Sequence, residues 1–489
     1  HHGYLFMDIA INHTGWAASI HESHPDWLVR DESGRIEVPG AWGVEWADLT
    51  RLDYSNTDLW QYMAGIFLRW CRRGVDGFRC DAGYMIPVEA WQYIVAKVRQ
   101  EYPDTLFFLE GLGGPLESTR QILGRANFNW AYSELFQNYT TDEITAYLQE
   151  AYDISNTCGH LIHFAETHDN NRLASVSTCY ARMRTALCAM FSICGGFGFA
   201  NGVEWFATQK IDVHESSSLN WDSKDNQVDH IARLNRILSR HPAFFSGTRL
   251  SMISSSQAPG MVLSRHNAHH DKRLLILVNP DCDHNCELSW KSSGTGAVSD
   301  TMADLISLSR VHIDRAGGVC RIKLAPGQVM ALSHHLEDLN LIQSDAPFPD
   351  PLPGRVYLQK LKEKILQIHT AVHGFSNVMD LELTEKARAF ARNPVQLIRA
   401  YNKQTRESRV VVFDVQRDAR RQVMVLPGHF LMVQSRERFR ARLMTEKRSG
   451  QVSLAYEEGI SRADGSGFFA VFLPRQPGSR HRTLTLEVR

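Results

Sequence analysis

Apolar positions along this chain follow two rhythms. From Thr57 to Arg73 the residues Leu59, Met63, Ile66, Phe67 and Trp70 recur at helical spacing, with Asn56 placed to cap the start and Gly74 to stop the end. Val88 to Glu101 repeats that rhythm through Trp91, Ile94, Val95 and Val98. Between these segments stand short, continuous apolar runs such as Gly77-Phe78-Arg79-Cys80 and Leu106-Phe107-Phe108-Leu109. The same alternation continues with a short strand in Phe128 to Leu135, a helix in Val176 to Ile193, a strand in Gly195 to Ala200 and a helix in Val228 to Leu238. Apolar runs buried on both faces and separated by amphipathic helices predict a parallel sheet in an α/β fold.

After Pro242 the rhythm changes. Met261 to Ser264, Leu274 to Asn279, Glu287 to Trp290, Val319 to Leu324 and Val329 to Ser333 are short β runs with turn residues between them, which predicts an all-β module. Ser344 to Pro353 carries Pro347, Pro349, Pro351 and Pro353 and reads as a linker. Beyond it, Arg355 to Val372 and Thr384 to Tyr401 have helical spacing, interrupted near Pro394. From Arg409 onward β runs return at Val410 to Phe413, Val423 to Leu426, Phe430 to Val433, Phe468 to Leu473 and Leu484 to Val488. Basic clusters at Arg417 to Arg421 and Arg436 to Arg442 read as solvated strand faces and loops.

The chemistry is written at the ends of the apolar runs. Asp8-Ile9-Ala10-Ile11-Asn12-His13 closes one, Gly77-Phe78-Arg79-Cys80-Asp81-Ala82 a second and Leu106-Phe107-Phe108-Leu109-Glu110-Gly111 a third, while Ile162-His163-Phe164 leads into His168-Asp169. In a parallel β/α barrel the C-terminal ends of the strands converge on one face, so carboxylates placed there share a pocket.

The order of these four motifs resembles the α-amylase superfamily of glycoside hydrolases, family thirteen. The resemblance implies a (β/α)8 TIM barrel, and within it Asp81 as nucleophile, Glu110 as general acid/base and Asp169 as the second aspartate that stabilises the transition state. It also implies substrate contacts from Asp8, Asn12, His13, Arg79 and His168, with Arg79 a cation beside Asp81. Two positions depart from the family pattern. Tyr84 and Met85 stand where many amylases carry a Lys-His pair, and Thr167 replaces the Asn that usually precedes His-Asp. The inventory suits the chemistry, since retaining glycoside cleavage needs one ionised and one protonated carboxyl group about 5 to 5.5 Å apart.

Threaded on this resemblance, residues 1–242 form the catalytic barrel with a small excursion at 14–54. Residues 243–336 form an all-β sandwich, 337–354 a linker, and 355–489 a helical and then β-rich segment of unassigned role. Because a family motif is reached by Asp8, the barrel is expected to be N-terminally truncated, lacking about two strand-helix units. The tail resembles the β-rich lead-in to the later hydrolase domain that some glycogen-debranching proteins fuse to an amylase-type barrel.

At 489 residues the chain exceeds what one core supports. Its net charge of −1 gives no electrostatic case for nucleic acid, and the longest apolar stretch, Ala186 to Ala200, is broken by Gly195 and Gly196, so no membrane span is expected. Nine cysteines without framework spacing point to a reducing, cytoplasmic setting. His266, His269, His270, Cys282, His284 and Cys286 cluster in sequence but lack paired ligand motifs, so no metal and no cofactor are expected. The expected partner is an α-1,4-linked glucan, with Trp16, Trp46, Trp130, Tyr132 and Trp205 as candidate stacking surfaces. Water as acceptor makes the protein a glycosidase and a second glucan makes it a 4-α-glucanotransferase. A glucan-binding protein without activity and a scaffold segment of a larger assembly are the other readings, and the intact Asp81, Glu110 and Asp169 favour an enzyme.

Overall fold

The computed structural model describes residues 4–41, 43–212, 215–253, 260–295, 298–343, 354–373, 378, 381–393, 396–397 and 400, and beyond 409 the strands alone. In chain order the principal elements are β1 (Phe6–Ala10), α1 (Thr57–Cys71), β2 (Gly77–Asp81), α2 (Val88–Glu101), β3 (Leu106–Leu109) and α3 (Leu116–Gly124). Then come β4 (Trp130–Tyr132), α4 (Thr141–Thr157), β5 (His160–Phe164), α5 (Thr178–Phe191), β6 (Phe197–Gly198) and α6 (Val228–Arg240). They pack as two compact units, His1–Asn129 with Gly354–Arg489 and Trp130–Pro353.

In the first unit β1, β2 and β3 run parallel, with Asp8 opposite Arg79, Ala10 opposite Asp81 and Cys80 opposite Leu109. The helices form where the spacing places them. Asn56 accepts the N–H of Asp58 at the start of α1, whose Leu59, Met63, Phe67 and Leu68 are buried. Behind the strands the core is aromatic: Phe67 meets Phe78 edge-on at 4.7 Å between ring centres, and Trp91 meets Phe128 at 5.0 Å. Such offset and edge-on pairs add to the stabilisation from burial. The excursion after β1 is held to itself by an antiparallel pair, His13–Gly15 with Leu49–Arg51.

The helical part of the tail belongs to this unit. The helix Gly354–His373 buries Leu361, Ile365, Leu366 and Ile368 together with Ala96 of α2 and with Leu383, Ala387 and Phe390 of the helix Leu383–Arg392. Glu363 stands 3.6 Å from the fully buried Arg99 guanidinium of α2 and accepts the side-chain amide of Asn129 at 3.4 Å. Eight strands follow from Val410 to Val488 in two four-stranded sheets. Part of each basic cluster, 417–419 and 436–439, and the proline-rich stretch 344–353 lie outside the described residues.

In the second unit β4, β5 and β6 are parallel, and nine strands from Thr248 to Ser333 follow. These form a six-stranded and a three-stranded sheet sharing one core that includes Val262, Leu277, Leu288, Trp290, Ile322 and Leu332. Arg265 is fully buried and donates to the carbonyls of Met190, Ile193 and Ala243, so it closes the C-terminal end of α5 from inside the β-rich module. No helix among the described residues is long and apolar enough to cross a membrane.

Candidate active site

The adjacent parallel strands β1, β2 and β3 bring four of the expected residues, Asp8, Arg79, Asp81 and Glu110, together. Arg79 lies inside β2 with its side chain 9% exposed, and its Nη1 donates to both oxygens of Asp8 at 3.0 Å and to Oδ1 of Asp81. The parallel register puts Asp8 beside Arg79, and the two-residue step along β2 puts Asp81 on the same face. One buried cation therefore fixes two carboxylates that would otherwise repel each other.

Past Asp81 the backbone bends sharply, with Ala82 in the left-handed region at φ 42°. That bend turns the next two amides toward Glu110: Ala82 N–H donates to Glu110 Oε2 at 2.7 Å and Gly83 N–H to the Glu110 carbonyl at 3.2 Å. Glu110 N–H in turn donates to the Cys80 carbonyl at 3.0 Å. The chain segments carrying Asp81 and Glu110 are thus joined by three hydrogen bonds that all run through main-chain groups. Gly83 fits this turn because a Cβ there would lie 2.5 Å from Leu109 Cδ1.

Tyr84, at a position where the motif pattern has lysine, stands within electrostatic reach of both carboxylates. Burial, then Glu110, then Asp81 push its hydroxyl above the usual tyrosine range, so it is a neutral donor at neutral pH. Its ring is overlain by Gly114, where a Cβ would come within 2.4 Å of the ring carbon Cγ. In sequence Tyr84 is visible only as a departure from the motif; the turn fixed to Glu110 is what places it beside both acids.

Asn12 and His13 follow β1. Asn12 is buried and donates through Nδ2 to Met85 Sδ at 3.1 Å, while its Oδ1 has no hydrogen-bond partner. Burial lowers the His13 imidazole below its ordinary range against the opposing pull of Asp81 and Asp48, and its Nδ1 likewise has no partner. Trp46 meets the His13 ring edge-on at 5.7 Å. Beside these residues opens a cavity of about 510 Å³ whose lining includes Asn12, Arg51, Asp53, Tyr54, Ser55 and Met85.

His168 and Asp169 lie in the second unit on the turn after β5, with His168 Nε2 3.4 Å from Asp169 Oδ2. The turn is braced from both ends. Glu166, buried, accepts Arg172 Nη1 at 2.6 Å and Leu173 N–H at 2.6 Å, and Thr167 Oγ1 donates to Asn170 Oδ1 at 2.6 Å. Arg172 also donates to the carbonyls of Gln209 and Asn201. Sequence reading did not single out Glu166 or Arg172, although an acid and a base six residues apart around a His-Asp pair is a visible pattern. Of the candidate stacking surfaces, Trp16 is half exposed and donates to the Ala47 carbonyl, Tyr132 packs on Phe164 at 4.4 Å, and Trp205 faces the exposed Trp221 at 5.5 Å. Among the described residues no group of three or more His, Cys, Asp and Glu side chains is placed to hold a metal ion.

No family model matches the chain. Among curated proteins it is similar to the α-1,4-glucan:maltose-1-phosphate maltosyltransferases of Methylacidiphilum infernorum, at 23% identity over 289 residues, and of Picrophilus torridus, at 25% over 291. These matches cover 55% and 57% of the chain, which spans less than half the length of either relative, 42% and 45%. Among solved structures it is similar to a noncanonic maltogenic α-amylase from Thermotoga neapolitana, at TM-score 0.55 and 19% identity, covering 68% of this chain and 77% of the other. It is also similar to an α-amylase from Lactobacillus plantarum, at TM-score 0.53 and 20% identity, covering 68% and 78%.

Proposed function

We propose that this chain, with α-glucan maltosyltransferases as sequence relatives and the fold of the α-amylases, carries the site of a retaining enzyme acting on α-1,4-linked glucans. The observation that carries this reading is the Asp8–Arg79–Asp81 cluster joined through the Ala82 N–H to Glu110. The accompanying fold reading is an α-amylase-type (β/α)8 barrel.

In this mechanism the Asp81 carboxylate attacks the anomeric carbon as the glycosidic C–O bond breaks, and Glu110 gives its proton to the leaving oxygen. The Ala82 amide, donating to Glu110 Oε2, holds that carboxyl group next to the segment that carries Asp81. In the second step ionised Glu110 takes the proton of an acceptor hydroxyl, whose oxygen attacks the same carbon and releases Asp81. Asn12 Oδ1 and His13 Nδ1 offer unpaired polar atoms to the glucan, and contact of Asp169 and His168 with sugar hydroxyls is what the family resemblance implies. The relatives' names favour a glucan hydroxyl over water as acceptor, and therefore maltosyl transfer over hydrolysis; a 4-α-glucanotransferase uses the same steps.

The test is incubation of the protein with maltoheptaose, with and without maltose 1-phosphate. Transfer lengthens the glucan by maltosyl units and releases phosphate, disproportionation redistributes chain lengths without it, and hydrolysis liberates reducing ends as the α-anomer. Asp81→Asn lowers every one of these rates by about four orders of magnitude or more. Wild-type and variant rates that agree refute the assignment.

A further inference from the structure

We propose that Cys179 and Cys282 form a reversible thiol–disulfide couple, oxidised by a small-molecule disulfide of the glutathione class, which staples the start of α5 to the turn after the strand Lys272–Val278. All nine cysteines are free thiols, and five of them, Cys71, Cys80, Cys188, Cys286 and Cys320, are buried. Cys179 and Cys282 differ in being half-buried, in standing on separate elements 103 residues apart, and in converging on one point.

That point is Gly327. A Cβ on this residue would lie 2.6 Å from Cys179 Sγ and 3.2 Å from Cys282 Sγ, so both sulfurs rest over a position that only glycine leaves open. Gly327 has φ +61°, and its N–H donates to the Asp281 carbonyl at 2.7 Å, which holds the cradle in place from the Cys282 side. Besides the Cys282 thiol, the Cys179 sulfur makes weak contacts with the carbonyls of Pro326 at 3.6 Å and Cys282 at 3.9 Å. Cys286, close to Cys282 in sequence, is directed elsewhere: its Sγ stands 3.0 Å from where a Cβ of Gly260 would be.

The geometry sets the steps. Burial first, then contact with Cys179, then Asp283 and Asp281 push the Cys282 thiol up. With both sulfurs over Gly327, whichever cysteine attacks first leaves the other placed to resolve the mixed disulfide, and the steps are the same with the two exchanged. The Cys179 thiolate attacks one sulfur of the external disulfide, whose S–S bond breaks and releases one small thiol. With Cys179 held in a mixed disulfide, its contribution to retaining the Cys282 proton is gone. Cys282 then loses its proton to solvent, attacks the Cys179 sulfur and expels the second small thiol. Two protein thiols are oxidised by two electrons, and one external disulfide is reduced to two thiols.

The test uses the full chain, reduced with dithiothreitol and equilibrated in mixtures of reduced and oxidised glutathione. Free thiols are then blocked with N-ethylmaleimide and the protein is digested without reduction. The expected result is a single cross-linked peptide joining Cys179 to Cys282, two hydrogens lighter than its parts, abolished by dithiothreitol. In Cys179→Ser the cross-link disappears and Cys282 is recovered as an alkylated thiol or with one glutathione. In Cys282→Ser, Cys179 carries one glutathione. The proposal is overturned if both cysteines are alkylated in the most oxidising mixture, if each carries its own glutathione in the wild type, or if Cys282 is found joined to Cys286.

Discussion

Arg79 serves two carboxylates with one guanidinium nitrogen, and that economy depends on its burial. Arg79 is 9% exposed while Asp8 is 57% and Asp81 31% exposed, so its buried guanidinium is held in one place and the two carboxylates come to it. His13 illustrates the opposite use of burial. Burial favours the neutral imidazole, so under the proposed function His13 would meet a sugar hydroxyl as an uncharged hydrogen-bonding partner without adding charge near Asp81. Loss of one such uncharged hydrogen bond costs about 0.5–1.5 kcal/mol, or roughly two- to tenfold in binding. His13→Ala is therefore expected to raise KM for maltooligosaccharides by that factor with kcat little changed. A fall in kcat of several orders of magnitude with unchanged KM places His13 in the chemistry and contradicts this role.

At the scale of elements, the strand ends were legible because a period change and a carboxylate coincide in a few residues. Asp81 and Glu110 each close an apolar run, Asp8 sits in the middle of β1, and the register of β1 on β2 brings Asp8 and Asp81 onto Arg79. The helix Val88–Glu101 has the bounds its apolar spacing predicts, and Thr57–Cys71 ends two residues early because Arg72 already serves as its C-cap. Tyr84 was not legible as a partner of both acids, because its place depends on the left-handed turn at Ala82 and on Gly114 lying over its ring. Nor was the packing of Gly354–His373 on α2, since amphipathic spacing says that a helix has a buried face and not which distant face covers it. The Tyr84 contact gives an element-level prediction. Gly114→Ala places a methyl group inside the Tyr84 ring and displaces it from the carboxylates, and misplacement of about 1 Å near reacting groups costs up to a hundredfold. Activity is expected to fall by about ten- to a hundredfold while the urea midpoint hardly moves, because neither residue belongs to the buried core. Equal activities of wild type and variant count against any role for Tyr84.

On the scale of whole units, stability rests on a few buried polar nodes that join distant parts of the chain, and Asp338 is one that makes stability depend on pH. Burial pushes its carboxyl up, but His241, Lys272 and Ser333, at 3.2, 2.6 and 2.5 Å, outweigh that and hold it well below the usual carboxylate range. These partners come from the end of α6, from the strand Lys272–Val278 and from the strand Val329–Ser333, so one carboxylate ties a helix of the α/β part to the β-rich module within the second unit. In an unfolded chain an aspartate titrates near 3.9. A folded value below that means the unfolded state binds the proton first as pH falls, so the contribution is complete above about 4 and is lost progressively at lower pH. Asp338→Asn removes the charge that the buried His241 and Lys272 face, which costs about 3–5 kcal/mol at neutral pH. It also removes one proton-linked step. Urea unfolding at a series of pH values is expected to show the wild type losing stability more steeply than Asp338→Asn below about pH 4, so that the two curves converge in acid. Curves that stay parallel down to the acid limit assign the pH dependence to other carboxylates and remove Asp338 from this role.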